Sequence, residues 1–238
     1  MKSIVAVIKK ELQTYASPER ARISKSFFKT GKGQYGEGDV FIGVPVPDTR
    51  IVAKKYVYVD FENILEILAS REHEYRLLAL HILVLQYKKA DIATRKKIAQ
   101  LYLAHTAYIN NWDLVDTSAA AIIGSYVLET KNEKILYKLI QSKNLWERRI
   151  AMIATHAYIK TGDPSHTFAF AQILFADPHD LSHKATGWML REVGKYSGLS
   201  VLKEFLITHY VHIPRTALRY AIEHFPEKER KELLGYKS

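Results

Sequence analysis

The chain has no cysteine among its 238 residues. That excludes a disulfide framework, a thiolate zinc site and a cysteine nucleophile. It has no apolar run of the roughly 18 residues that a membrane-spanning helix needs, so no membrane partner is expected. The opening segment MKSIVAVIKKELQ turns charged too early for a signal peptide, and a soluble cytoplasmic protein is the expectation. Helix breakers are sparse, with 7 Pro and 11 Gly, and four of the glycines are packed into residues 31–38. Strand-type alternation is nearly absent. So are the G-x-S-x-G elbow and the P-loop, which leaves hydrolase and NTPase readings without a motif.

What is present is an ordinary globular composition, 47% hydrophobic and 25% charged, which excludes wholesale disorder. The charge is one-sided: 35 Lys and Arg against 25 Asp and Glu, a net +10. Such an excess points to a polyanion, most often nucleic acid, with plain solubility as the alternative. Residues 1–30 are notably basic, with Lys2, Lys9, Lys10, Arg20, Arg22, Lys25 and Lys29 against Glu11 and Glu19.

Apolar residues recur at helical spacing along most of the chain. Residues 72–88 carry them at i, i+3, i+4 and i+7, the pattern of a buried stripe. Short turns such as Ala16-Ser17-Pro18 and Thr161-Gly162-Asp163-Pro164 place capping residues before new helices. About eleven or twelve helices of roughly 10–18 residues are expected, joined by short loops. Trp112, Trp146 and Trp188 stand in similar segments, 34 and 42 residues apart, periods typical of helical-pair repeats. The expected fold is an all-α, HEAT-like α-solenoid with a concave face, one domain over residues 1–238. An irregular helical bundle is the alternative.

Residues 29–47, KTGKGQYGEGDVFIGVPVP, interrupt the helical text. The G-x-G-x-x-G at Gly31, Gly33 and Gly36 neither follows a strand nor opens a helix, so no nucleotide cofactor is expected. A flexible loop whose amides and Lys29 or Lys32 meet phosphates suits the residues better, and FIGVPVP is expected to be non-helical. The 10 histidines do not make a metal site: His179 and His183 are i, i+4 without a supporting carboxylate. Capping and surface roles suit them better.

The tryptophan segments carry the candidate chemistry. Trp112 and Asp116, four residues apart, share a helical face, whereas Asp113 points elsewhere and suits a first-turn dipole role. Arg148 and Arg149 open the helix after Trp146, and Trp188 and Arg191 are i, i+3. From the residues alone, core packing and inter-repeat ion pairs explain them better than a site does.

NNWDLVDTSA, NLWERRIAM and KATGWMLREVGK resemble segments of the AlkD-type DNA alkylation-repair family, HEAT-like repeat DNA glycosylases. The similarity runs from ASPERARISKSFF to PRTALRYAIEHF. It implies Asp116 as catalytic carboxylate, Trp112 and Trp188 as aromatic walls, and Arg149 as the active-site arginine. Phe27 matches a family tyrosine without its hydroxyl, and the Gly-rich insertion is unlike compact members. Some relatives bind DNA without excising bases, which keeps a non-excising reader of distorted or branched DNA as the alternative. The implied reaction is hydrolysis of the N-glycosidic bond of cationic N3- or N7-alkylpurines in duplex DNA. The base leaves neutral, so a carboxylate that stabilises the developing oxocarbenium is the main requirement. The resemblance implies that the base stays in the duplex. Arg148, Arg149, Lys184 and Arg191 are the expected phosphate contacts, with Lys237 as a cation outside the cleft. No cofactor or metal is implied, and a monomer is expected. A protein scaffold is the rival from another class. Trp112 and Trp188 should stay partly accessible, and Trp146 should be buried.

Overall fold

The computed structural model describes residues 3–235; Lys2 and Lys237 lie outside them. Regular structure among these residues is helical, apart from an isolated parallel bridge between Val40 and Glu72. The chain is an all-α helical-repeat protein, and it divides after Ser118 into two compact units.

The first unit contains α1 (Ile4–Gln13), α2 (Pro18–Phe27), α3 (Val46–Lys55), α4 (Phe61–Leu68), α5 (His73–Lys89), α6 (Ile92–Ala104) and the start of α7 (Trp112–Ala119). Side-chain caps define several starts. Ser17 accepts from the Arg20 amide with Pro18 in the first turn, as its spacing predicts. Asp60 caps α4 through the Asn63 amide at 2.9 Å, and Asp91 caps α6 through the Thr94 amide at 2.8 Å. Helix α5 packs against α3 and α4. Its first eleven residues, His73 to Leu83, are buried on every face rather than along one stripe. A helix buried all round must satisfy its polar side chains internally, and His73, Glu74, Arg76 and His81 are the ones in question.

The segment before α3 is non-helical up to Pro45, as expected of FIGVPVP, and it is held in place. Helix α3 begins at Val46, so the end of FIGVPVP is helical, with Pro47 in the first turn, where its missing N–H costs nothing. Before it, the Glu74 carboxylate accepts the amides of Ile42 (3.1 Å), Gly43 (2.7 Å) and Val44 (3.3 Å). The His73 amide donates to the Val40 carbonyl at 2.8 Å. Phe41 and Val44 are buried. Residues 39–45 are therefore a pinned strap. Gly43 has φ +81°, and a Cβ there would lie 2.1 Å from the Ser17 carbonyl oxygen.

The second unit opens with a π-helical turn, Ala120–Gly124. It contains α8 (Ser125–Thr130), α9 (Lys134–Ile140), α10 (Leu145–Ala154), α11 (His156–Ile159), α12 (Ser165–Leu174), α13 (Asp180–Tyr196), α14 (Leu199–Thr208), α15 (Arg215–Ala221) and α16 (Glu227–Gly235). Helix α13 packs against α10, α12, α14 and α15. Gly187 lets α13 approach α15 closely, since a Cβ there would lie 2.4 Å from the Ala217 carbonyl. His179 caps α13 by accepting from the Leu181 amide at 3.2 Å, the role its position suggests. Several helices, among them α4, α8, α9 and α11 at 8, 6, 7 and 4 residues, are shorter than expected. Turns inside one apolar run divide what sequence periodicity reads as a single helix.

Candidate functional site

The start of α7 is held by buried charge. The Asn111 side-chain oxygen accepts the Trp112 amide at 2.8 Å, and Asp113 Oδ1 accepts the Leu114 amide at 2.9 Å. These bonds satisfy amides left over at a helix N-terminus. Asp113 Oδ2 lies 2.7 Å from His73 Nε2, and His73 Nδ1 lies 3.3 Å from Asp39 Oδ2. Asp39 also accepts from Arg76 Nη2 at 2.5 Å and from the Asn111 amide group at 2.9 Å. Burial alone would lower the His73 pKa, but the charge and hydrogen bond of Asp113, then the hydrogen bond of Asp39, raise it to about 9. As imidazolium, His73 donates through both ring nitrogens. Burial pushes Asp39 upward, yet His73 and Arg76 prevail and hold it below the usual carboxylate range.

Aromatic rings continue the arrangement. Phe28 stacks on Trp112 (centroids 5.1 Å, 14°) and on Phe41 (5.0 Å, 22°), and Phe41 stacks on His73 (4.7 Å, 25°). Phe27, largely exposed, meets Trp112 edge-on at 5.8 Å.

In front of α7 lies a cavity of about 770 Å³. Phe27, Phe28, Trp112 and Asp116 line it, so the i, i+4 pair does share a face. Asp113 lines it too, which corrects its expected placement off that face: the cavity wraps the first turn of α7. Helices α3 and α5 add Arg50, Lys54 and Lys88, all exposed, and His81, which is buried. His81 Nε2 is buried without a hydrogen-bond partner. Burial, then the nearby Arg50 cation, lowers its pKa to about 4, so the ring is neutral.

Lys29 and Lys32 are exposed and do not line this cavity. In the second unit, Arg148 donates to Asp177 at 2.6 Å and to the Ser142 and Lys143 carbonyls. Arg149 is only 4% exposed and donates to the Leu181 carbonyl at 2.6 Å. Lys184 pairs with Asp180 at 2.8 Å, and Arg191 with Glu223. Trp188 is half-buried and donates to Glu192 at 3.2 Å, whereas Trp146 is buried. No group of three His, Asp or Glu among the described residues could hold a metal ion.

Sequence reasoning missed Arg50, Lys54, Lys88, His81 and the network around His73. One signal was available: Arg50 and Lys54 are i, i+4, and so are His81 and Leu85, with Lys88 at i+7 from His81. Each set shares a face.

An acid-and-aromatic cavity fringed by cations, on an all-α helical-repeat chain, defines a class of protein suited to a polyanionic partner. The family follows from comparison. A model of DNA alkylation repair enzymes matches residues 8–225, and the chain belongs to that family, which acts on DNA. Among solved structures, the chain is similar to a predicted DNA alkylation repair enzyme from Enterococcus faecalis. That likeness has a TM-score of 0.70 at 18% identity and covers 91% of this chain and 99% of the other; at such identity it speaks for the fold. No curated protein matches. No helix among the described residues is long and apolar enough to cross a membrane.

Proposed function

We propose that the protein is a monofunctional DNA glycosylase that hydrolyses the N-glycosidic bond of cationic N3- or N7-alkylated purines in duplex DNA. The observation that carries this reading is the cavity itself, where Asp116 and Trp112 share one wall beside cations able to meet the DNA backbone. Asp116 stabilises the oxocarbenium that develops at C1′, and Trp112 offers a ring face to its positive charge. Trp188 is the second aromatic wall by resemblance. Arg149, largely buried, stays with the site by the same resemblance. A cationic purine departs neutral, so no strong general acid is required.

The test is release of 7-methylguanine and 3-methyladenine from methylated duplex DNA. Asp116→Asn should slow release ~100–1,000-fold, or about 2.7–4 kcal/mol, as removal of one preorganised electrostatic partner typically does. Duplex binding should survive. Uracil, which leaves as an anion, should not be released. One observation favours a second reading: Phe27 offers the cavity a ring without a hydroxyl. A non-excising DNA-binding protein of the same fold would bind duplex yet release no base from any cationic lesion.

A further inference from the structure

Three of the cations that the sequence marks for DNA differ in one respect from the cations that fringe the cavity. Arg148, Lys184 and Arg191 each face a carboxylate: Asp177, Asp180 and Glu223. Arg50, Lys54 and Lys88 have no carboxylate partner among the described residues. All three are exposed, and all three line the cavity that holds Asp116. Two rise one turn apart on α3 and the third comes from α5.

Like charges collected at a cavity mouth raise one another's energy unless an anion joins them. Their field reaches the cavity floor, where the Arg50 cation helps keep buried His81 uncharged. Asp113 and Asp116 face the same cavity from α7. The cavity thus has a cationic wall and an anionic wall. One nucleotide in a strand has matching poles: phosphates at its edges, and positive charge at its sugar when a cationic base departs.

We propose that Arg50, Lys54 and Lys88 form a phosphodiester-binding wall, which grips the backbone of the nucleotide whose sugar meets Asp116. This assignment rests on the cavity being the DNA site, and it does not require base release. The wall holds the DNA strand itself, not a free phosphate or mononucleotide.

The experiment is fluorescence anisotropy with two duplexes, one undamaged and one carrying a tetrahydrofuran abasic site, across a salt series. Each phosphate contact contributes about −0.9 to the slope of log K against log salt. Arg50→Ala, Lys54→Ala and Lys88→Ala should each flatten the slope by about 0.9, and the triple variant by about 2.7. The triple exchange Arg50→Lys, Lys54→Arg and Lys88→Arg should keep the slope, as retained charge predicts. Lys96→Ala with Lys97→Ala, two exposed cations of α6 outside the cavity lining, should leave it unchanged.

An unchanged slope in the triple Ala variant overturns the proposal, as does equal flattening by the α6 pair. Displacement of DNA by millimolar inorganic phosphate at constant ionic strength also overturns it, because the pocket would then serve a free anion. The slope of Asp116→Asn should match wild type. If wild type releases no base while the slopes behave as stated, the glycosylase reading fails and the phosphate wall stands. If release is normal and the slopes do not move, the wall alone fails.

Discussion

Charge is used in two ways on either side of the start of α7. Behind it, Asp39, His73, Arg76 and Asp113 form a paired network in which each charge has an opposite neighbour within 3.3 Å. In front, Arg50, Lys54 and Lys88 stand in solvent beside the cavity with no carboxylate partner among the described residues. The difference teaches what each set can do. Buried charges must be matched by partners in the folded chain, so they fix geometry and tolerate little change. Exposed unmatched charges add almost nothing to the fold and remain available to a polyanion. The network holds the helix that carries Trp112 and Asp116; under the proposed reading, the rim recruits the DNA.

The largest effect should come from breaking the network. Asp39→Ala removes the carboxylate that faces both His73 and Arg76, leaving buried cations without compensation. Loss of one partner from such a pair costs about 3–5 kcal/mol, measurable by urea unfolding. A cost below about 1 kcal/mol would place these groups with ordinary surface pairs and dissolve the contrast.

A second test uses two histidines on one helix. His73 is raised from 6.5 to about 9 by its carboxylates, and His81 is lowered from 6.5 to about 4 by burial and then Arg50. The native state therefore binds more protons than the unfolded one at His73 between pH 6.5 and 9. Its stabilisation is full below pH 6.5 and is lost as pH rises through 9. At His81 the unfolded state binds more protons between pH 4 and 6.5, so stability falls as pH drops through that window. Each limb should have a slope near ~1.4 kcal/mol per pH unit for one proton, about 3 kcal/mol across either window. His73→Gln should remove the alkaline limb only, and His81→Gln the acid limb only. Stability curves from pH 4 to 10 decide it, and a symmetrical response of both variants would contradict the opposite environments.

The strap comes next in size. Gly43 sits at φ +81° with no room for a Cβ against the Ser17 carbonyl. Gly43→Ala should cost about 1–3 kcal/mol through backbone strain alone. The damage should spread to Asp39 and Phe41, the strap's contributions to the network and to the ring stack. Trp112 fluorescence should report it, since Phe28 stacks between Phe41 and Trp112. An unperturbed Trp112 emission would show that the strap does not support the site.

How legible was this in the sequence? Helical periodicity announced the all-α repeat fold, and Ser17-Pro18 announced a capped helix start. The i, i+4 spacing of Trp112 and Asp116 put both on one cavity wall. The network was not legible, because Asp39, His73 and Asp113 are distant in sequence and meet only through tertiary packing. Asp113 shows the limit: its first-turn position pointed to the amide it caps, but nothing local announced His73. The strap's extended, apolar character was legible in FIGVPVP, but what pins it was not, because Glu74 lies some thirty positions later. The rim was overlooked because Arg50, Lys54 and Lys88 resemble any solvated helix face until the cavity between their helices is known.

The smallest effect on the fold should come from the rim, and its smallness is the informative part. Arg50→Ala, Lys54→Ala and Lys88→Ala each remove an exposed side chain with no ion-pair partner among the described residues. Surface substitutions of that kind usually stay within about ±0.5 kcal/mol. The sign should lean towards stabilisation, since each removal relieves repulsion among cations on neighbouring helices, and added salt should erase the gain by screening it. Thermal melts of the three variants at low and moderate salt provide the measurement. A loss above about 1 kcal/mol at any position would mean that the charge is bound within the fold, and the rim would then join the network as structure. A near-zero change, alongside the loss at Asp39, would leave one set of charges that builds α7 into place and another that the fold does not need.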